Sequence, residues 1–104
     1  YETIIQFLND RNLMIDYHEL RFGDKVGEGS FAVVWQGWWK GYPVAVKKLK
    51  NASISHRFFL REVSMLWRAR HRSVVMILGA TANPPCIITA FLSGGSLYDA
   101  LHER

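Results

Sequence analysis

Apolar residues recur along the chain with two different periods, and the changes of period mark the elements. Ile4, Ile5 and Leu8 fall at helical spacing behind Thr3, a residue suited to capping, so a short helix is expected over residues 3–9. Leu13 to Leu20 keeps no period and reads as extended, irregular chain. From Phe22 to Ser30 apolar and polar positions alternate and then give way to glycines, after which the β-branched and aromatic run Val33-Val34-Trp35 follows. That pattern is a strand, a tight turn and a second strand. Lys40-Gly41-Tyr42-Pro43 supplies the next turn and Val44 to Leu49 a third strand, which makes an antiparallel meander.

Helical spacing returns after Asn51, where Phe58, Glu62 and Met65 form one row and Phe59, Val63 and Leu66 a second beside it. One glutamate thus sits inside an apolar stripe. Val74 to Ala82 reads as a fourth strand, Asn83-Pro84-Pro85 as a hairpin turn and Cys86 to Thr89 as a fifth strand. Ser93-Gly94-Gly95 breaks the chain, and Ser96 with Asp99 three residues on opens a helix over Leu97 to His102. The expected class is α+β: a five-stranded antiparallel sheet with one main helix, a short N-terminal helix and the start of a C-terminal one.

A length of 104 residues accommodates one small domain, and 49% hydrophobic with 21% charged residues excludes a disordered chain. The longest mainly apolar stretch, Val74 to Ala82, is far short of the roughly 20 residues that span a bilayer, and Tyr1-Glu2-Thr3 does not begin a secretory leader. No membrane partner is expected. Cys86 is the single cysteine, so no intramolecular disulfide can form; a reducing, cytoplasmic location and a buried, unreactive thiol are the expectation. The net charge of +4 is uneven: residues 47–72 carry eight basic side chains against Glu62 alone. With Phe58, Phe59 and Trp67 interleaved, that segment could track nucleic-acid phosphates, but a solvated helix face with inward aromatics is the better reading.

Three features carry candidate chemistry. Gly27-Glu28-Gly29-Ser30 joins two strands and lets backbone N–H groups approach a phosphate without obstruction by a Cβ; on its own it equally suits an ordinary hairpin. Lys47, on the third strand after Val44-Ala45-Val46, could reach phosphates under that hairpin if its side chain were fixed. Glu62, 15 residues on, is the candidate tether, because an ionised carboxylate on the apolar side of a helix is costly unless paired.

In order and spacing these elements resemble the N-terminal lobe of a protein kinase over residues 20–104, with residues 1–19 as an extension carrying the short helix. Gly37-Trp38-Trp39-Lys40-Gly41 before Val44-Ala45-Val46-Lys47-Lys48-Leu49, and Gly94-Gly95-Ser96-Leu97, are most similar to the tyrosine-kinase-like group, with its mixed-lineage and Raf-like members, which mainly phosphorylates serine and threonine. The resemblance implies ATP with Mg2+ as the ligand. It places Val26, Gly27, Gly29 and Ala32 at the glycine-rich loop with Phe31 as its tip, and Val34 and Ala45 around the adenine. Lys47 falls on the α- and β-phosphates with Glu62 as its partner, and Leu66 and Ile77 fall in a hydrophobic column linking the lobes. Thr89 takes the gatekeeper position, and Ala90, Phe91 and Leu92 the hinge that recognises adenine through its main chain.

The sequence departs from that pattern in places. Ala32 stands where a third glycine is usual, which would stiffen the loop if the backbone needs unusual dihedrals, so Ala32→Gly would then tighten nucleotide binding. Ala90 replaces a commonly polar hinge residue, and His71-Arg72-Ser73 replaces the usual His-Pro-Asn. The 104 residues contain neither a His-Arg-Asp catalytic loop nor Asp-Phe-Gly, so no residue is assigned to a metal and the chain alone is expected to be inactive and to bind ATP weakly. Protein substrates are then expected only for a longer form that includes the second lobe. The alternatives are a non-catalytic module that self-associates as a homodimer or domain-swapped oligomer, for which Leu66 to His71 resembles the dimerising helix end of Raf-like kinases, and a nucleic-acid-binding module, which the spacing of the motifs outweighs.

Overall fold

The computed structural model of the chain describes residues 3–50, 56–72 and 75–91. The expected helix over Leu97–His102 and the strand position Val74 lie outside the described residues.

A reciprocal cap starts the first helix, α1 (Ile4–Asp10). The Gln6 N–H donates to Thr3 Oγ1 at 3.1 Å while the Thr3 N–H donates to Gln6 Oε1 at 2.9 Å. Ile4, Phe7 and Leu8 are its buried residues, and Ile5 is exposed. The chain then runs extended through Leu13 and Ile15, touches the sheet through a parallel bridge between Met14 and Ala80, and turns through a short 3-10 helix at Tyr17–Glu19 capped by Asp16.

Five strands follow in the order β1-β2-β3-β5-β4, with every neighbouring pair antiparallel. β1 is Leu20–Glu28, β2 Ala32–Trp39 and β3 Tyr42–Leu49; α2 (His56–Arg68) intervenes before β4 (Ile77–Ala82) and β5 (Pro85–Ala90). The β2–β3 hairpin is tighter than the sequence suggests. Lys40 (φ 51°) and Gly41 (φ 84°) alone form the turn, the left-handed pair a two-residue hairpin requires, so Tyr42 and Pro43 are already strand residues opposite Trp39 and Trp38.

Two apolar clusters cover the two faces of the sheet. On one face Ala32, Leu49 and Ile87 meet Phe59 and Val63 of α2 and Ile4, Phe7 and Leu8 of α1. On the other, Val44, Val46, Cys86 and Ile88 are covered by Ile15 and Leu20, with Tyr17, Trp35 and Trp39 at the margin. Cys86 is fully buried, and loss of hydration pushes its thiol pKa up, as expected of an inert core thiol. Gly79 allows the N-terminal segment to lie directly on β4: a Cβ there would run into the Leu13 carbonyl oxygen and the Ile15 side chain.

α2 departs from its expected orientation. Phe59 and Val63 face the core with Leu66 packed against it, but Phe58 is 41% and Met65 52% exposed. The row containing Glu62 therefore runs along the edge of the interface and not through its interior.

Candidate functional site

Strand alternation divides β3 into two sets of side chains: Ala45, Lys47 and Leu49 toward α2, and Val44, Val46 and Lys48 toward the opposite face. Directly paired residues of antiparallel strands project to the same side. Val34 is paired with Lys47, and Ala45 with Thr89, so Val34, Ala45, Lys47 and Thr89 share the α2 face. Ala45 and Thr89 are buried and Val34 is half-buried.

The expected tether is present. Lys47 Nζ donates to Glu62 Oε1 at 3.2 Å across the gap between β3 and α2. Its setting differs from the expectation of a desolvated carboxylate, since the side chains of Lys47 and Glu62 are 44% and 32% exposed. At that exposure an ion pair contributes about 0–1 kcal/mol to stability. Its consequence is positional, because it holds an ammonium at a fixed height beside Val34 and under the hairpin.

That hairpin is built for close approach. No atom lies within 4 Å of where a Cβ would stand on Gly27 or Gly29. The turn is closed by the Gly29 N–H donating to the Ala32 carbonyl at 2.9 Å and tied to β3 by the Lys50 N–H donating to the Phe31 carbonyl at 2.8 Å. Phe31 projects from the tip, its ring centroid 6.5 Å from that of Phe58. Val26 is exposed at the strand's outer end.

Ala32 answers the question its sequence position raises. The only non-glycine residues with positive φ among those described are Asn12 and Lys40, so the backbone at Ala32 needs no glycine. The residue is instead a buried member of β2, paired with Leu49. The condition for tighter binding by Ala32→Gly is thus not met. The substitution should cost about 0.5–1 kcal/mol in a denaturant titration and leave nucleotide affinity no tighter.

Two of the three expected hinge positions lie among the described residues. The Ala90 N–H donates to the Met76 carbonyl at 3.0 Å and the Phe91 N–H to the Pro43 carbonyl at 3.3 Å. Both donors are thus engaged by main-chain carbonyls of the sheet region. Leu92 lies outside the described residues.

Glu28, between the two loop glycines, escaped the sequence reading. It accepts from Lys25 Nζ at 2.8 Å through one carboxylate oxygen and from Lys50 Nζ at 2.6 Å through the other. The hydrogen bond from Lys25, then that from Lys50, holds its pKa down to about 2 from an ordinary 4.5. Lys25 was visible as a near neighbour, but Lys50 is brought in only by the β2–β3 pairing. Because the folded-state value is depressed, the clasp's contribution is complete above pH 4.5 and is lost as pH falls from there through about 2. Following the Glu28 carboxyl carbon by NMR should give a midpoint near 2 that moves toward 4.5 in Lys25→Gln. A wild-type midpoint at 4.5 would show that no clasp forms in solution.

The basic segment is not a continuous stripe. Lys47 and Lys48 leave opposite faces of the sheet, Lys48 Nζ donates to Tyr17 Oη at 3.0 Å, and Arg70 lies on the Trp67 ring 3.7 Å from its centroid. Phe59 turns inward as expected and Phe58 outward. Among the described residues no group of three His, Cys, Asp or Glu side chains converges as metal ligands, and no helix is long and apolar enough to cross a membrane.

Comparison with known proteins agrees with this geometry. A family model described as protein tyrosine and serine/threonine kinase matches residues 20–104. Dual specificity protein kinase pyk3 of Dictyostelium discoideum is 48% identical over 103 residues, covering 98% of this chain and 8% of that protein. Probable serine/threonine-protein kinase drkA of the same organism is 38% identical over 95 residues, covering 86% of this chain and 15% of that protein. Mitogen-activated protein kinase kinase kinase 7 of Homo sapiens is 38% identical over 88 residues, covering 85% of this chain and 14% of that protein. The chain thus spans between 8% and 15% of the length of these relatives.

Proposed function

The chain belongs to the protein tyrosine and serine/threonine kinase family, and from that premise we propose that the α2-facing side of its sheet is the ATP-binding half of a serine/threonine kinase active site. The observation that carries this reading is the 3.2 Å contact of Lys47 with Glu62 below an open glycine hairpin, on the face shared by Val34, Ala45 and Thr89.

These residues fit a nucleotide triphosphate. Half-buried Val34 offers apolar surface for a flat base, and the buried Ala45 and Thr89 close the back of that surface. Gly27 and Gly29 leave room for a phosphate chain against the main chain of the hairpin. Lys47 supplies the positive charge beneath it, and Glu62 keeps that ammonium from swinging into solvent. Bound ATP would supply the transferable phosphoryl group. Among the described residues the carboxylate beside Lys47 is that of Glu62, which Lys47 engages, and no three acidic, His or Cys side chains converge, so Mg2+ does not fit a site made from them.

Phosphoryl transfer relies on positioning and charge stabilisation from both sides of the phosphates, and this chain supplies one side. The 104 residues alone should therefore bind Mg-ATP weakly and transfer nothing; a second lobe carrying the catalytic base and metal ligands completes the enzyme, which then acts on serine and threonine hydroxyls of proteins. Isothermal titration of the chain with Mg-ATP should give a Kd weaker than about 0.1 mM. Micromolar binding, or phosphate transfer by the chain alone, would overturn the division of labour. Equal heats from Lys47→Met would overturn the site.

A further inference from the structure

The sheet carries a concavity on the face turned away from Lys47. Tyr17, Phe22, Val33 and Trp35 line a cavity of about 350 Å3 together with Lys48, Leu49 and Lys50. That volume lies within the roughly 300–1,000 Å3 typical of small-ligand sites. The aromatic walls are mutually braced. Tyr17 and Phe22 stand 5.7 Å apart between ring centroids, and Phe22 meets Trp35 edge-on at 6.1 Å.

The charge around the cavity is unbalanced. Lys50 is paired with Glu28, but that carboxylate is shared with Lys25, which leaves the three groups with one excess positive charge. Lys48 has no acidic partner among the described residues: its ammonium donates to the Tyr17 hydroxyl at 3.0 Å and lies 5.2 Å from the centre of the same ring. The groups that act on it electrostatically are that phenol and the Cys86 thiol, with no carboxylate among them. A cation held beside a π-rich cleft without a counter-charge is complementary to a ligand that brings a flat ring and an anion together.

We propose that this outer-face cavity is a binding site for a small aromatic anion, an aryl carboxylate or aryl phosphate, with its ring among Phe22, Val33 and Trp35 and its acid group on Lys48. The site is separate from the Lys47 side of the sheet, since Lys47 and Lys48 project from opposite faces of β3.

Titrating the 15N-labelled chain with 2-naphthoate tests this. The Trp35 indole N–H should move saturably, while Trp67, on the α2 side, should stay still. Lys48→Gln should weaken binding about tenfold by removing the charged donor. Two controls on the unmodified chain keep the test independent of how that variant folds: 2-naphthylmethanol, a ring without charge, and inorganic phosphate, a charge without ring, should each bind about tenfold more weakly than 2-naphthoate. Phenyl phosphate should shift the same signals. Saturating Mg-ATP should leave the 2-naphthoate affinity unchanged. The proposal is overturned if the neutral alcohol or plain phosphate binds equally well, if Mg-ATP competes, or if no saturable shift of Trp35 appears.

Discussion

Replacing Gly79 by alanine is expected to lower the unfolding free energy by about 3 kcal/mol, the upper range for forcing volume into a packed site. The added Cβ meets the Leu13 backbone carbonyl and the Ile15 side chain, and a backbone atom cannot step aside as a flexible side chain can. The segment must lift, which breaks the hydrogen bonds from the Ala80 N–H to the Leu13 carbonyl and from the Ile15 N–H to the Ala80 carbonyl, both 2.9 Å. Urea unfolding reads the change directly. Gly29→Ala is the control: its Cβ would enter open space, so stability should stay within about 0.5 kcal/mol. Equal losses from both would mean that the close approach at Gly79 does not exist in solution.

Leu8→Ala is expected to cost about 2–5 kcal/mol, the range for truncating a fully buried leucine. Leu8 is completely inaccessible in the cluster that also holds Phe59 and Val63 of α2, although it lies outside the residues matched by the kinase family model. Ile5, in the same helix but exposed, should tolerate alanine within about 0.5 kcal/mol. A near-neutral Leu8→Ala would show that α1 is not part of the core that seats α2. The consequence reaches the candidate site, because Glu62 stands on α2 and a loosened helix no longer presents it to Lys47.

Local patterns made most of the fold legible. Alternation from Phe22 to Ser30, the apolar runs of β2 and β3 bounded by turns, the Thr3 cap and the Phe59/Val63/Leu66 row each determine an element from neighbouring residues, and the structure has those elements. The pairing of Lys47 with Glu62 followed from one anomalous glutamate combined with the resemblance, whereas the strand order beyond the β1-β2-β3 meander was not read from the sequence. What the sequence could not display were the relations set by tertiary approach. The exposure of Glu62 depends on how α2 rolls against the sheet, which puts Phe58 and Met65 outside while Phe59 and Val63 go in. The clasp on Glu28 needs Lys50, brought close by strand pairing, and the closure of both cores by residues 4–20 needs a glycine on β4 whose role is invisible until Leu13 is seen against it. The Ala90 and Phe91 donors were similarly taken up by carbonyls distant in sequence.

The central claim is that nucleotide binds on the α2 face of the sheet, with Lys47 as its cationic anchor. Carbon-13 methyl spectra of the chain titrated with Mg-ATP test it most directly, because methyl groups report which face a ligand touches. The expected result is a shared, saturating shift of the Val34, Ala45 and Thr89 methyls, with those of Val44, Val46 and Ile88 unmoved. Shifts confined to Val44, Val46 and Ile88, or no shift on either face at about 10 mM nucleotide, would contradict it.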